Sequence, residues 1–424
     1  MSQKLPMTDF AIVSQEQVQA IESELVRAQE RVAAEMEAGR EPDAKSLMTF
    51  TKPTEDIGYF FEVDLEYPEE LHPAHQDYPL APERLNVAAE EKSLLQQALE
   101  MRYERRPQNC SKLVPNLHDK RNYQLHYQNL LYYMQLGMRL VKIHRAVMFR
   151  EEAWLAPYIS LCTELRKKAL SPFERDLFKL FINIIFGKSC EKLDDRTDIR
   201  LVQVERQFRQ LMSRPHCKNF RIFANTLAAV ELRKPQIVID RPMYIGTTVL
   251  ELSKLHMYKL HYGHFSAVYG NMARLLYTDA DSLIYHIETD NILAECYEHK
   301  EDVFDMSTLP PTSPYFDDTK KNVPGYLKVE TGGKQMTEFV ALAAKMYSYK
   351  MMTPETGDEQ ESRRAKGIQA AVVKRDFRHE HYLQQLYDPQ PNRVETRRIG
   401  SHYHILYTYK VWHVLRIMIG FSLI

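Results

Sequence analysis

The stretch Arg274-Leu-Leu-Tyr-Thr-Asp-Ala-Asp-Ser-Leu-Ile-Tyr285 constrains this chain more than any other. Asp279 and Asp281 stand one residue apart on what reads as a tight turn. Leu275, Leu276 and Tyr277 lead in, and Leu283, Ile284 and Tyr285 lead out, a pattern of strand, turn and strand. A hairpin tip with two carboxylates suits a hard divalent cation, which takes one or two carboxylates and completes its shell with phosphate oxygens. Two such ions, about 3.5–4 Å apart, stabilise both the attacking and the leaving oxygen of an in-line phosphoryl displacement. Asp-x-Asp also occurs on plain surface turns and in sugar-nucleotide transferases, so the pair alone does not select a chemistry.

The chain has 424 residues, 44% of them hydrophobic, enough for about two to four domains with a sizeable core. Cysteines at 110, 162, 190, 217 and 296 have no CxxC spacing and read as reduced intracellular thiols. No secretory signal opens the sequence. The apolar run from Val411 to Ile424 is too short to span a bilayer and is interrupted by His413 and Arg416. An intracellular protein without a membrane partner is expected, with nucleus and cytoplasm both open. The net charge of −1 hides a segregation: residues 1–101 hold 21 Asp/Glu against 8 Lys/Arg, whereas residues 102–150 hold 10 Lys/Arg against 2 Asp/Glu. Such a basic stretch either lines a phosphate backbone or forms a solvated face.

Hydrophobic spacing predicts an amphipathic helix over 14–42, a strand over 59–67 and a Pro- and His-rich loop over 70–90. It predicts helix over 123–141, strand over 143–149, helix over 154–170 and a further helix from Pro172 to Gly187. Residues 190–245 read as mixed, and a long helix over about 247–270 leads into the Asp279 hairpin. Strands near 325–330 and 346–352, a loop over 353–362 and a mostly helical basic tail follow. Clustered helices and strands make an α+β chain.

Two further constellations accompany the hairpin. On a helix, Lys179, Asn183 and Phe186 are spaced by four and three residues and share one face. A cation, an amide and an aromatic there can meet a triphosphate, a sugar and a base; the plainer alternative is a core Phe186 and a solvated Lys179. Arg166-Lys-Lys168 adds positive charge upstream, as a phosphate-facing or a solvated run. Downstream, Lys345-Met-Tyr347 sets a cation two positions from a phenol, a spacing common by itself. His256, His261 and His264 read as core residues, and His379-Glu-His381 as solvated.

Taken in order, these residues resemble three motifs of family B DNA polymerases. Tyr277-Thr-Asp-Ala-Asp-Ser282 is similar to motif C, usually Tyr-x-Asp-Thr-Asp-Ser, with Ala280 in place of the middle Thr. Lys179-x3-Asn183-x2-Phe186-Gly187 is similar to motif B, with Ile184 where the family has a small polar residue. Lys345-Met-Tyr347 is similar to the Lys-x-Tyr motif. Lys142-Ile-His-Arg145, Trp154-Leu155, Leu165-Arg-Lys-Lys-Ala169 and Lys254-Leu-His-Met-Tyr258 resemble the protein-primed group found in self-synthesising eukaryotic DNA transposons and related viruses, over roughly residues 1–408. The resemblance implies a right-hand fold of palm, with an antiparallel sheet, fingers and thumb, plus two insertions. By position, 1–140 would be the rest of the palm after motif A with the first insertion, 141–189 the fingers, 190–245 the second insertion, 246–352 the palm and 353–424 the thumb.

The same resemblance implies DNA-directed nucleotidyl transfer with Mg²⁺ or Mn²⁺. Asp281 and Asp279 would be catalytic metal ligands, and Lys179, Asn183, Phe186 and Arg166 would bind the dNTP. Tyr277, Lys345 and Tyr347 would hold the primer terminus. Partners would be a DNA primer-template, dNTPs and a terminal priming protein. The usual motif A text ends in Met-Ser-Gln-x-Leu-Pro, and this chain opens Met1-Ser-Gln-Lys-Leu-Pro6. The expectation is therefore a chain that begins inside motif A, lacks its aspartate and is weakly active or inactive. Asp64 in Asp64-Leu-Glu-Tyr-Pro68 is a superficial substitute, expected instead to be structural. The segment Trp412 to Ile424 departs from the family's polar ending, as a frame change or wrong exon boundary would produce. Two rivals remain: a catalytically dead DNA-binding remnant, and an Asp-x-Asp glycosyltransferase that leaves motif B and Lys-x-Tyr unexplained.

Overall fold

The computed structural model describes residues 3–37, 49–88, 111–193, 196–354, 356–387, 392–402 and 405–415, with positions 90–92, 94, 97, 98 and 101 between them. It is a mixed α+β chain. The first part runs β1 (Leu5–Ile12), α1 (Gln15–Glu37), β2 (Ile57–Glu66), α2 (His72–His75), β3 (Glu83–Leu85), β4 (Lys112–Val114), β5 (Lys120–His126), α3 (Tyr127–Gln135) and β6 (Arg139–Glu152). Antiparallel pairing gives a four-stranded sheet in the order β1-β6-β2-β5. Alternation along β2 turns Tyr59, Phe61, Val63 and Leu65 to one face, where they are buried against Val18, Ile21, Leu25 and Ala28 of α1.

The segregated charge of the N-terminal third is resolved in this sheet. Acidic β2 lies beside basic β6, and their solvent-side residues pair across the strands. Arg145 Nε lies 2.5 Å from Glu62, Arg150 Nε 2.6 Å from Asp56, and Arg139 contacts Glu66 and Glu70 at 3.5 and 3.0 Å. Asp64 meets His144 Nε2 at 2.9 Å and Arg121 at 3.5 Å, and it accepts the Asn122 N–H at 2.8 Å. Burial pushes its carboxyl up, but the Asn122 and His144 hydrogen bonds outweigh this and leave it below its ordinary value. Along β6 the basic stretch is thus neither a bare solvated face nor an open phosphate track, while Arg102, Arg105 and Arg106 lie outside the described residues. The region expected to be helical over 123–141 is also different: β5 runs to His126, α3 covers nine residues, and β6 begins at Arg139. Pairing of β5 with β2 outweighs the local helical spacing.

The helices α4 (Ala156–Lys168) and α5 (Pro172–Ser189) follow. A capping box starts α5: Ser171 accepts the Glu174 N–H, and Glu174 accepts the Ser171 N–H. Next, β7 (Thr197–Val202), α6 (Glu205–Met212), β8 (Cys217–Ala224) and β9 (Leu227–Arg233) form a small unit, its sheet in the order β7-β9-β8. Helix α7 (Met243–Leu260) packs over α5, its Ile245 and Val249 meeting Ile182 and Ile185. The approach is close: a side chain at Gly246 would collide with Ser189 and Cys190.

Through a wider turn at His261–Phe265 and α8 (Ser266–Tyr269), α7 runs on to the hairpin β10 (Ala273–Thr278) and β11 (Leu283–Ile287). The remaining elements are α9 (Ile292–Glu298), β12 (Phe304–Asp305), β13 (Leu327–Lys328), β14 (Gln335–Ala343), β15 (Met346–Met352), β16 (Glu359–Ala365), α10 (Ala370–Asp376), α11 (His379–Tyr387), β17 (Asn392–His402) and β18 (Ile405–Leu415). The expected loop over 353–362 is therefore partly strand, because β16 pairs along β15. The expected helical tail is half hairpin, because β17 and β18 pair over their full length. Residues 416–424, like Met1 and Ser2, lie outside the described residues. Among the described residues no helix is long and apolar enough to cross a membrane.

A seam of phenols and imidazoles joins the first sheet to the hairpin. Tyr258 is fully buried and donates to Pro79 O (2.9 Å); Tyr262 donates to Tyr78 O (2.6 Å). His261 Nδ1 lies 2.7 Å from the Tyr285 hydroxyl, and His75 Nδ1 lies 2.9 Å from that of Tyr67. Burial lowers His75 and His261 from 6.5 to about 4, and His126 to about 3.

Two outcomes are expected. Phe61→Ala removes a core ring and costs about 3–5 kcal/mol in denaturant unfolding, whereas Arg145→Ala, at an exposed pair, changes stability by less than about 1 kcal/mol. The three histidines bind protons more weakly folded than unfolded, so their contribution is complete above pH 6.5 and is lost as pH falls from there toward about 4, or about 3 for His126. Thermal midpoints across that window should fall, and fall less in His75→Asn.

Candidate functional site

The Asp279 turn is closed by its own backbone. The Asp279 N–H donates to Ser282 O (3.0 Å), the Ser282 N–H donates back to Asp279 O (3.2 Å), and Ala280 takes a left-handed φ of 54°. A methyl side chain at this φ is uncommon, and the hydrogen bonds at both ends of the turn hold it there. The result exposes Asp281 at the tip and leaves Asp279 partly enclosed beside it.

A second turn meets the first. Between β14 and β15, Lys345 also takes a left-handed φ, of 60°. Its N–H donates to the Tyr277 hydroxyl (2.7 Å), and its Nζ lies 3.3 Å from Asp279 Oδ1. Tyr347 packs against Tyr277 with ring centroids 5.0 Å apart, and Phe339 lies 5.9 Å from Tyr277. Residues nearly seventy positions apart in the chain thus form one cluster of carboxylate, ammonium and phenols. Burial raises the phenols of Tyr277 and Tyr347 above their ordinary value; for Tyr347 the nearby Arg364 charge works against that rise. Tyr277, Asp279, Lys345 and Tyr347 are brought together, and Asp281, two positions along the turn, is exposed with no side-chain partner among the described residues.

On α5, Lys179 and Asn183 are exposed and Phe186 is half-buried, next to the row of Ile182 and Ile185 that packs on α7. Arg166 is half-buried in the last turn of α4. Among the described residues no hydrogen bond, ion pair or ring contact ties any of these four to the hairpin. They sit on α4 and α5, outside the Asp279–Lys345 cluster.

Other sites considered from sequence fall elsewhere. His256 Nε2 contacts Gly325 O (3.0 Å), His261 contacts Tyr285, and His264 packs on His299 and Phe304, so the three do not converge. His379 is not solvated: it is buried, with Nδ1 3.0 Å from Ser348 Oγ and Nε2 3.1 Å from Glu338. Sequence reasoning missed Phe339, Tyr349, Arg364 and Lys366, which surround Tyr347. The period-2 pair Tyr347-x-Tyr349 carried the signal for the row of rings.

The donor chemistry at the turn fits one divalent ion. Two carboxylates one residue apart offer hard oxygens, and phosphate oxygens can complete the shell. Among the described residues no three His, Cys, Asp or Glu side chains converge, so the protein alone supplies at most this pair.

No protein-family model matches the chain, and no curated protein matches it. Solved structures of Phi29 DNA polymerase are similar at low identity. The post-translocation binary complex with primer-template DNA is 12% identical, with a TM-score of 0.49, covering 85% of this chain and 51% of that one. The ternary complex with primer-template DNA and incoming nucleotide substrates is 13% identical, with a TM-score of 0.47, covering 87% and 53%. The complex with single-stranded DNA is 13% identical, with a TM-score of 0.45, covering 87% and 52%. The chain spans about half the length of these structures.

Tyr277→Phe deletes the acceptor of the Lys345 N–H while keeping the ring. The expected loss is about 0.5–1.5 kcal/mol in urea unfolding, and an unchanged midpoint would show that this bond does not hold the two turns together.

Proposed function

We propose that this chain serves DNA-directed nucleotidyl transfer of the protein-primed family B kind, in which a primer 3′-OH attacks the α-phosphate of a dNTP and pyrophosphate leaves. The observation that carries the reading is the junction of the Asp279 turn with Lys345 and Tyr347. A metal-binding turn, a phosphate-binding cation and a sugar-sized aromatic are what such a transfer needs beside one another. In this reading residues 141–189 act as fingers, 246–352 as palm and 353–424 as thumb, while 1–140 and 190–245 carry the insertions. A primer-template, dNTPs and a terminal priming protein are the partners.

Each residue has a physical task. Lys345 offsets the charge of Asp279 and presents an ammonium to a strand phosphate. The Tyr277 hydroxyl fixes the Lys345 backbone, and Tyr347 offers its ring to the terminal sugar. Lys179 neutralises triphosphate charge, Arg166 adds to it, Asn183 donates to sugar or backbone, and Phe186 packs beside a base. Asp281, with Asp279, would hold Mg²⁺ or Mn²⁺, which when bound supplies a counter-charge to phosphate oxygens. Positioning and charge dominate such transfers, since the protein performs little covalent chemistry.

A second reading, DNA binding without turnover, is favoured by one feature. Asp279 is already paired with Lys345, and no third carboxylate among the described residues joins the turn. Weak primer extension is therefore expected. Equilibrium binding of a labelled dNTP with and without Mg²⁺ separates the readings. The transferase reading expects affinity that rises with Mg²⁺ and collapses in Asp281→Ala; no Mg²⁺ effect, with DNA binding intact, selects the second.

A further inference from the structure

Two cations beside the turn belong to no ion pair among the described residues. Elsewhere basic groups are heavily matched: β2 and β6 zip together, Lys350 contacts Glu338 and Glu380, Arg363 contacts Glu361, and Arg375 contacts Asp376. Arg364, on β16, and Lys366, in the turn just past its end, are exposed, and among the described residues neither forms a salt bridge. Arg364 is the register partner of Tyr347, and the Lys366 N–H donates to Lys345 O (3.0 Å). Together with Asp279, Lys345 and Tyr347 they line a cleft of about 350 Å³.

The floor beside these cations is aromatic. Tyr347 and Tyr349 are two residues apart and stack at 6.2 Å, with Phe339 6.0 Å from Tyr347. All three are half-buried. The opposite face of the same sheet is closed, since Ser348, Met346 and Val340 are buried and α11 packs there through His379 and Tyr382. One sheet face is therefore core, and the other is a row of rings edged by the exposed Arg364 and Lys366. An aromatic platform beside cations is the arrangement that single nucleic-acid strands occupy, with the sugar–phosphate backbone at the charges.

We propose that Arg364 and Lys366 grip neighbouring phosphodiesters of a DNA strand laid along the open face of β14–β15–β16, with its end at the Asp279 turn. This rests on the polymerase-type reading and extends it from the primer end to the strand behind it. The two cations supply counterion-release affinity without reading sequence, and the rings hold the sugars and bases above them. The same phosphate chemistry belongs to a free dNTP, which is the competing source.

The test is DNA binding by the full chain, with fluorescence anisotropy of a labelled primer-template from about 50 to 200 mM salt. Arg364→Gln and Lys366→Gln should each weaken binding and reduce the log–log salt slope by about 0.7–0.9 per lost phosphate contact. Lys366→Arg should restore the slope. Lys350→Gln, on the same strand pair but facing the closed side, should leave it at the parental value. Slopes in Arg364→Gln and Lys366→Gln equal to that of Lys350→Gln overturn the proposal, as does a parent chain that binds no primer-template. A loss confined to Mg²⁺-dependent dNTP binding also overturns it, because the cations would then serve the nucleotide. The polymerase-type reading fails separately, through absence of Mg²⁺-dependent dNTP binding in the parent.

Discussion

The structure depends on the way α7 and the turn after it are anchored. Tyr258 and Tyr262 reach from this helical segment into the loop after α2, each donating to a backbone carbonyl there, at Pro79 and Tyr78. A buried phenol without an acceptor costs on the order of 1–3 kcal/mol, so both bonds act as fixed tethers. One residue before Tyr262, His261 meets the Tyr285 hydroxyl on β11. The segment thus carries a contact from the first sheet directly to the carboxylate hairpin. Phe265, stacked 4.1 Å from Tyr285, closes the other side of the hairpin strand. The hairpin, a two-stranded sheet and marginal by itself, gains its rigidity from this packing.

The charges sort into two kinds. Those of the first sheet are matched with one another across β2 and β6, which leaves little field for a ligand there. Those around Asp279 are only partly matched: Lys345 is shared with a carboxylate, and Arg364 and Lys366 face solvent. A neutral total charge is compatible with both, because electrostatic binding follows the local arrangement and not the sum. The same comparison explains why the basic stretch over 102–150 was ambiguous as sequence. Its strand partner lies more than seventy residues away, so no local window shows that Arg145 is already answered by Glu62.

Much of the local structure was legible. Helix α5 was readable from Pro172, although it runs past the expected Gly187 stop to Ser189, and the hairpin from two apolar runs around a short polar turn. The shared face of Lys179, Asn183 and Phe186 follows from helical geometry alone. The errors came where a partner strand overruled local spacing. Residues 123–126 join β5 because β2 offers an edge, and residues 359–365 become β16 because β15 does. His379 reads as solvated from its polar neighbours, yet Ser348 and Glu338, from two other strands, enclose it.

By itself the sequence determined the carboxylate pair on a turn, the cation-amide-aromatic face of one helix and the Lys-x-Tyr pair, because spacing of two and of three to four residues is a property of the backbone. It did not determine that these belong together. Only the tertiary structure decided that Lys345 reaches Asp279 and Tyr277 while Lys179 stays on a separate face, and that Arg364 and Lys366 edge the same cleft. The physical reason is that such contacts depend on which strand edges and apolar faces find one another. That choice is made by packing the whole chain, not by any segment within it.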